Sequence, residues 1–75
     1  MSDRLPALKP RDVERVLLKV GFMLDRQRGS HRVYARADDQ ATVVVPWHNR
    51  DLKRGTLRSI IRATGLTVAE FIEQL

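Results

Sequence analysis

The chain contains no cysteine, which excludes disulfide staples and thiolate metal sites and fits a reducing compartment. No apolar run approaches the roughly 20 residues needed to cross a bilayer. The first residues lack the apolar core of a signal peptide. These absences point to a soluble cytoplasmic protein with no membrane partner. There is no P-loop, nucleophile elbow or carboxylate pair, so the common nucleotide-hydrolase, α/β-hydrolase and glycosidase chemistries have no sequence anchor. No repeat or low-complexity segment occurs. Histidines number only two and aromatic side chains only four.

The 75 residues make one small domain, 1–75, which buries roughly 60% of the surface its unfolded form exposes. A large substrate pocket does not fit, and a surface site acting on an extended ligand does. Acidic residues are the scarcer charge, 9 Asp and Glu against 14 Lys and Arg, for a formal net charge of +5. Such a domain attracts polyanions, of which nucleic acid is the commonest in a cell. The positive charge is regional: Asp38 and Asp39 interrupt it at a turn, and Glu70 and Glu73 lie at the C-terminal end.

Residues 1–8 show no periodicity and read as a loose tail. Pro10 suits the first turn of a helix. Val13, Val16, Leu17 and Val20 then follow an apolar helical face, which predicts a helix over 10–20 with Gly21 as its left-handed cap. Residues 22–27 read as a short strand, and Arg28-Gly29-Ser30 as a turn. Residues 31–36 alternate, Val33 and Ala35 on a helix-facing side and Arg32, Tyr34 and Arg36 on an open one. Asp38-Asp39-Gln40 is the next turn. Residues 41–45 are β-branched and apolar as in a covered strand, which Pro46 halts. A loop over 47–53 leads to a helix over 54–64, where Leu57, Ile60, Ile61 and Thr64 share a face, with Gly65 as its cap. Thr67 and Glu70 form a capping box for a last short helix that turns Phe71, Ile72 and Leu75 inward. The order is α-β-β-β-α-α, a three-stranded antiparallel meander with helices on one face, in the α+β class.

The residues with chemistry cluster at Arg28-Gly29-Ser30-His31. Gly29 permits a tight bend, Ser30 offers a hydroxyl, and His31 is the side chain type most readily poised to move protons near neutral pH. Arg26, Arg28, Arg32 and Arg36 give it a cationic surround. Cleaving RNA needs a base for the ribose 2′-OH and cations for the charge developing on phosphorus. The plain alternative is a structural histidine at a strand start. The alternation also sets His31 on the helix-facing side with Val33, so it must reach past the end of the sheet. Arg54, Arg58 and Arg62 recur at helical spacing and are candidates for an RNA backbone, against the plain reading of a solvated helix face. Arg32 and Tyr34 on the open face could bind and stack on RNA. Trp47 reads more readily as core. His48 is a secondary candidate, as a positioning donor or a loop residue bonding its own backbone. A metal site from His31, His48 and Asp51 is a weaker reading, because no ligand pair stands at i, i+3 or i+4. No cofactor is expected.

Gly29-Ser30-His31, Val45-Pro46-Trp47-His48 and Gly55-Thr56-Leu57-Arg58-Ser59-Ile60, in this order and spacing and with Gly21-Phe22 before them, resemble the HicA family of toxins from bacterial toxin–antitoxin modules. The resemblance runs from Pro10 to Leu75. Trp47 departs from the smaller apolar residue often found there. The resemblance implies a fold similar to a double-stranded-RNA-binding domain, metal-independent cleavage of mRNA, and neutralisation by a HicB-type antitoxin. The family's essential histidine follows Gly-Ser, which maps onto His31, with Gly29 and Ser30 beside it. The expectation is therefore an endoribonuclease toxin whose partner covers the basic surface near His31. Two alternatives remain, a non-catalytic RNA-binding module of the same fold and a purely protein-binding subunit.

Overall fold

A computed structural model describes residues 4–75. Its element order is α1 (Pro10–Lys19), β1 (Met23–Arg28), β2 (His31–Ala35), β3 (Thr42–Pro46), α2 (Arg54–Thr64) and α3 (Val68–Glu73). The strands form one antiparallel sheet in the order β1-β2-β3, so the expected α+β meander is the observed fold. Pro10 opens α1, where its missing N–H costs nothing, and the Asp12 carboxylate accepts the Lys9 backbone N–H at 2.9 Å. Gly21 (φ +97°) and Gly65 (φ +83°) take the left-handed conformation that ends their helices. The α3 capping box forms as read: Thr67 N donates to Glu70 Oε1 at 2.8 Å, and Glu70 N to Thr67 Oγ1 at 3.1 Å.

Burial shows which sheet face meets the helices. Tyr34, Val43 and Val45 are fully enclosed while Val44 is 50% exposed. Tyr34 lies opposite Val43 in the register, and directly paired residues share a face. The helix-facing side of β2 is therefore Arg32 and Tyr34, and the open side is His31, Val33 and Ala35, the reverse of the expectation. The reason is size. Burying a tyrosine ring removes far more apolar surface from water than burying a valine and an alanine, and the Tyr34 hydroxyl finds a partner on α1. The core joins that layer to Val13, Val16 and Leu17 of α1, Leu57, Ile60 and Ile61 of α2, and Phe71 of α3. Leu75 stays 46% exposed instead of turning inward.

The loose tail read over 1–8 is also corrected. Leu5 and Leu8 are buried in the core, and the Leu8 carbonyl accepts Leu52 N at 2.8 Å. Residues 1–3 of that tail lie outside the described residues. The isolated sequence of this segment has no period because it packs as an extended strap, with two leucines dropped into the core. Pro46 belongs to β3 instead of halting it. β3 is an edge strand, and the N–H that proline lacks would point away from the ladder.

Candidate active site

The site begins with a two-residue hairpin turn. Gly29 has φ +55° and is the only left-handed residue of the turn, the pattern of a type II′ connection with glycine at its first position. It sets Arg28 directly opposite His31, and Pro46 of β3 lies opposite His31 on the other side. His31 is exposed and stands on the open face, so it need not reach around the sheet. The inverted faces remove that difficulty.

The register of β1 from that turn decides which cations join it, and a bulge lies beyond them. The pairing runs Met23–Ala35, Leu24–Tyr34, then Arg26–Val33 and Arg28–His31, leaving Asp25 as the extra residue. Arg26 and Arg28, paired with Val33 and His31, share the open face with His31, while Gln27, paired with Arg32, turns toward the helix side. The one inserted residue shifts the alternation on its far side, so that Leu24 and not Asp25 lies opposite Tyr34. Arg26 is not alone there, since Asp25 accepts from its Nη1 at 2.7 Å.

The turn is held from several directions. Trp47 N donates to the Ser30 carbonyl at 2.6 Å, and Gln27 Nε2 to the Gly29 carbonyl at 3.1 Å. Gln27 Oε1 in turn accepts Arg32 Nε at 2.9 Å. The Arg32 guanidinium donates to Glu14 of α1 at 2.9 Å and lies 3.7 Å over the centre of the Trp47 ring. Tyr34 OH donates to the same Glu14 oxygen. Burial, and then the bond to that carboxylate, push the Tyr34 hydroxyl well above the usual phenol range, so it stays protonated and remains a donor. The Glu14, Gln27 and Trp47 links escaped sequence reasoning because they join three separate elements. The only local signal was a lone tyrosine between Val33 and Ala35 in an alternating stretch.

Several assignments therefore change. Tyr34 is enclosed and cannot stack on RNA. Arg32 and Arg36 are not cations of the His31 surface. Arg32 is committed to Glu14, Gln27 and Trp47. Arg36 sits at the opposite end of the sheet, where its guanidinium grips Asp39 at 2.8 and 3.0 Å and donates to the carbonyls of Val20 and Thr64 at 3.3 and 3.0 Å. Those carbonyls belong to the C-terminal ends of α1 and α2, where a cation is favoured. Trp47 is partly buried against the core. His48 Nδ1 accepts the Arg50 backbone N–H at 3.1 Å, so it bonds its own loop, as one of the readings of it held.

Arg54, Arg58 and Arg62 are exposed along α2, in the layer opposite the His31 face. The loop over 47–53 leaves β3 at the His31 end, so Arg54 stands at that end. Arg58 and Arg62 climb away from it by about 6 and 12 Å at 1.5 Å per residue. The structure brings together His31, Arg28 and Arg26, and not the whole arginine set. Among the described residues no three His, Asp or Glu side chains group as a metal site, so His31, His48 and Asp51 do not converge.

A family model described as the HicA toxin of bacterial toxin–antitoxin matches residues 10–66 of this chain. The chain belongs to the HicA toxin family. The match spans all three strands and α1 and α2, and takes in the Gly29-Ser30-His31 turn. No curated protein gives a significant match. For this HicA-family chain the toxin role of a toxin–antitoxin system follows, and with it an antitoxin partner. Among the described residues no helix is long and apolar enough to cross a membrane.

Proposed function

We propose that the chain is a metal-independent endoribonuclease that cleaves mRNA in the cytoplasm, with His31 as its catalytic acid/base, and that a HicB-type antitoxin inhibits it. The observation that carries the reading is the exposed His31 directly opposite Arg28, on the uncovered face of the sheet, in a chain of a toxin family.

In the reaction the ribose 2′-oxygen forms a bond to phosphorus while the bond from phosphorus to the 5′-oxygen breaks. His31 takes the 2′-OH proton as that bond forms, and a proton from the imidazolium or from water completes the departing 5′-OH. Arg28, with Arg26 behind it, offsets the charge that builds on the phosphoryl oxygens. Ser30 and Gly29 set the turn, and Trp47, Gln27 and Arg32 keep it in place. The RNA backbone runs along the open face past Arg26 and Arg28 and over the end of the sheet toward Arg54. Arg58 and Arg62 are reached only by RNA that continues onto the helix layer.

The test is cleavage of an mRNA by purified protein in the presence of a chelator. Wild-type protein cleaves, and His31→Ala loses about 100-fold or more of the rate while keeping its melting temperature. Equal cleavage by His31→Ala refutes the catalytic role. Loss of wild-type cleavage with chelator refutes metal independence. Binding without cleavage under any condition leaves the non-catalytic RNA-binding module.

A further inference from the structure

The sheet has a usable edge. β3 pairs only with β2 among the described residues. Trp47 N bonds the Ser30 carbonyl, and Arg36 N bonds the Ala41 carbonyl. Bonded pairs alternate along an antiparallel ladder, so residues 41, 43, 45 and 47 turn their backbone groups toward β2. Thr42 and Val44 therefore point N–H and C=O outward, and Pro46 its C=O. Proteins usually blunt such an edge with charge, proline, distortion or a covering segment. Here Pro46 blunts only the last position, Thr42 and Val44 carry no charge, and β3 pairs without a bulge.

Beside that edge lies a groove of about 230 Å³ between β3 and α2, floored by Val43 and Ile60 and walled by Val44, Pro46, Ser59 and Ala63. The helix wall is built of small side chains where it faces the edge, which leaves the width of a further strand's side chains. We propose that the edge of β3 and this groove receive an extended, acidic segment of the antitoxin as a fourth strand, antiparallel or parallel to β3, with its apolar side chains in the groove. This rests on the antitoxin partner that the family brings.

Three observations favour that occupant. First, a row of outward backbone donors and acceptors is satisfied by another polypeptide backbone, which nucleic acid lacks. Second, the groove is lined by apolar and hydroxyl side chains, a poor bed for phosphates. Third, charge selects among polypeptides. The loop that leaves β3 beside Pro46 carries Arg50 and Lys53 against the single carboxylate Asp51, and Asp51 is already paired with Lys9 at 3.4 Å. A second copy would set two such surfaces, each on a +5 chain, against one another. An acidic segment meets complementary charge instead. A strand laid along β3 reaches Pro46, directly opposite His31, so strand addition also brings the partner to the rim of the site.

Residue-resolved hydrogen exchange tests this on the full chain with and without a purified HicB-type antitoxin that binds it. In the complex the Thr42 and Val44 amides slow by about 100-fold or more, the gain a newly formed ladder confers. Val43 and Val45 change less, being bonded to β2 already. Ala63→Arg, at an exposed position, fills the groove and weakens the complex at least about 10-fold with the fold intact by circular dichroism. Unchanged Thr42 and Val44 exchange in a saturated complex overturns the edge proposal while the antitoxin reading stands. Absence of a complex between the wild-type chain and any HicB-type antitoxin overturns both. Protection of these amides in the free chain with a doubled mass, or on adding RNA alone, assigns the edge to a second copy or to RNA and likewise overturns it.

Discussion

Tyr34 is wholly enclosed yet carries a hydroxyl, and Glu14 is what makes that tolerable. Removing the hydroxyl costs only the net value of one hydrogen bond, because Glu14 keeps Arg32. Removing the carboxylate strands a buried donor and unties Arg32 at the same time. Tyr34→Phe is expected to lower stability by about 1 kcal/mol, and Glu14→Ala by more, about 1–3 kcal/mol from the buried hydroxyl alone. Urea unfolding of the two variants checks the order, and an equal loss contradicts it. The same pair explains why the faces of β2 were illegible locally. Val33 and Ala35 look like a core side, Arg32 and Arg36 like a wet one, and parity alone permits either choice. The choice is made by Val43, Val45 and Glu14, which lie far off in sequence. His31 itself was legible, since the turn chemistry of Gly29-Ser30 marks the strand start whichever face it takes.

At the scale of elements, the helices were the readable part. The four buried positions of α2 are those its spacing marks, and the Gly65 stop and the Thr67–Glu70 box act where local chemistry places them. Strand ends shifted by a residue because ladder pairing, not composition, terminates a strand. Arg36 was misassigned to the site for a similar reason: its partners are the ends of two helices and the Asp38–Gln40 turn. That turn has a pH signature. The Arg36 guanidinium, and then the Ala41 N–H, hold the Asp39 carboxyl at about 2, below its ordinary 3.8. A carboxyl lowered on folding binds its proton less readily when folded than when unfolded. Its contribution is therefore complete above about pH 4 and disappears as the pH falls from there toward 2. Thermal melts of wild type and Asp39→Asn are expected to differ at pH 6 and to converge near pH 2. A constant gap across that range counts against the Arg36–Asp39 account.

Taken as a whole, the molecule is a helix layer behind a bare sheet, with the candidate site at one end of the bare side. Composition made a small, basic domain legible, and the order of motifs made its family legible. The division of the arginines between two layers was not, because a helical stripe and a strand stripe look alike until the sheet is assembled. The layers can be separated by salt dependence. Each phosphate contact to single-stranded RNA contributes about 0.7 to the slope of log affinity against log salt. Arg28→Ala is expected to reduce that slope by about 0.7 for a short RNA spanning the His31 turn, and Arg62→Ala to leave it unchanged. Equal effects from both would mean that the RNA spans both layers, and an effect from Arg62→Ala alone would place it on the helix layer.

The bulge at Asp25 makes β1 tolerant of a change in length just behind the site. The Gly29-Ser30 turn fixes Arg28 opposite His31 and Arg26 opposite Val33, and Asp25 stands outside that ladder as the extra residue. Substituting Asp25 changes an ion pair with Arg26. Deleting it would close the bulge and leave Leu24 opposite Tyr34 and both arginines on the open face. In this strand a one-residue gap between two relatives at that point would thus leave the chemistry of the site unchanged.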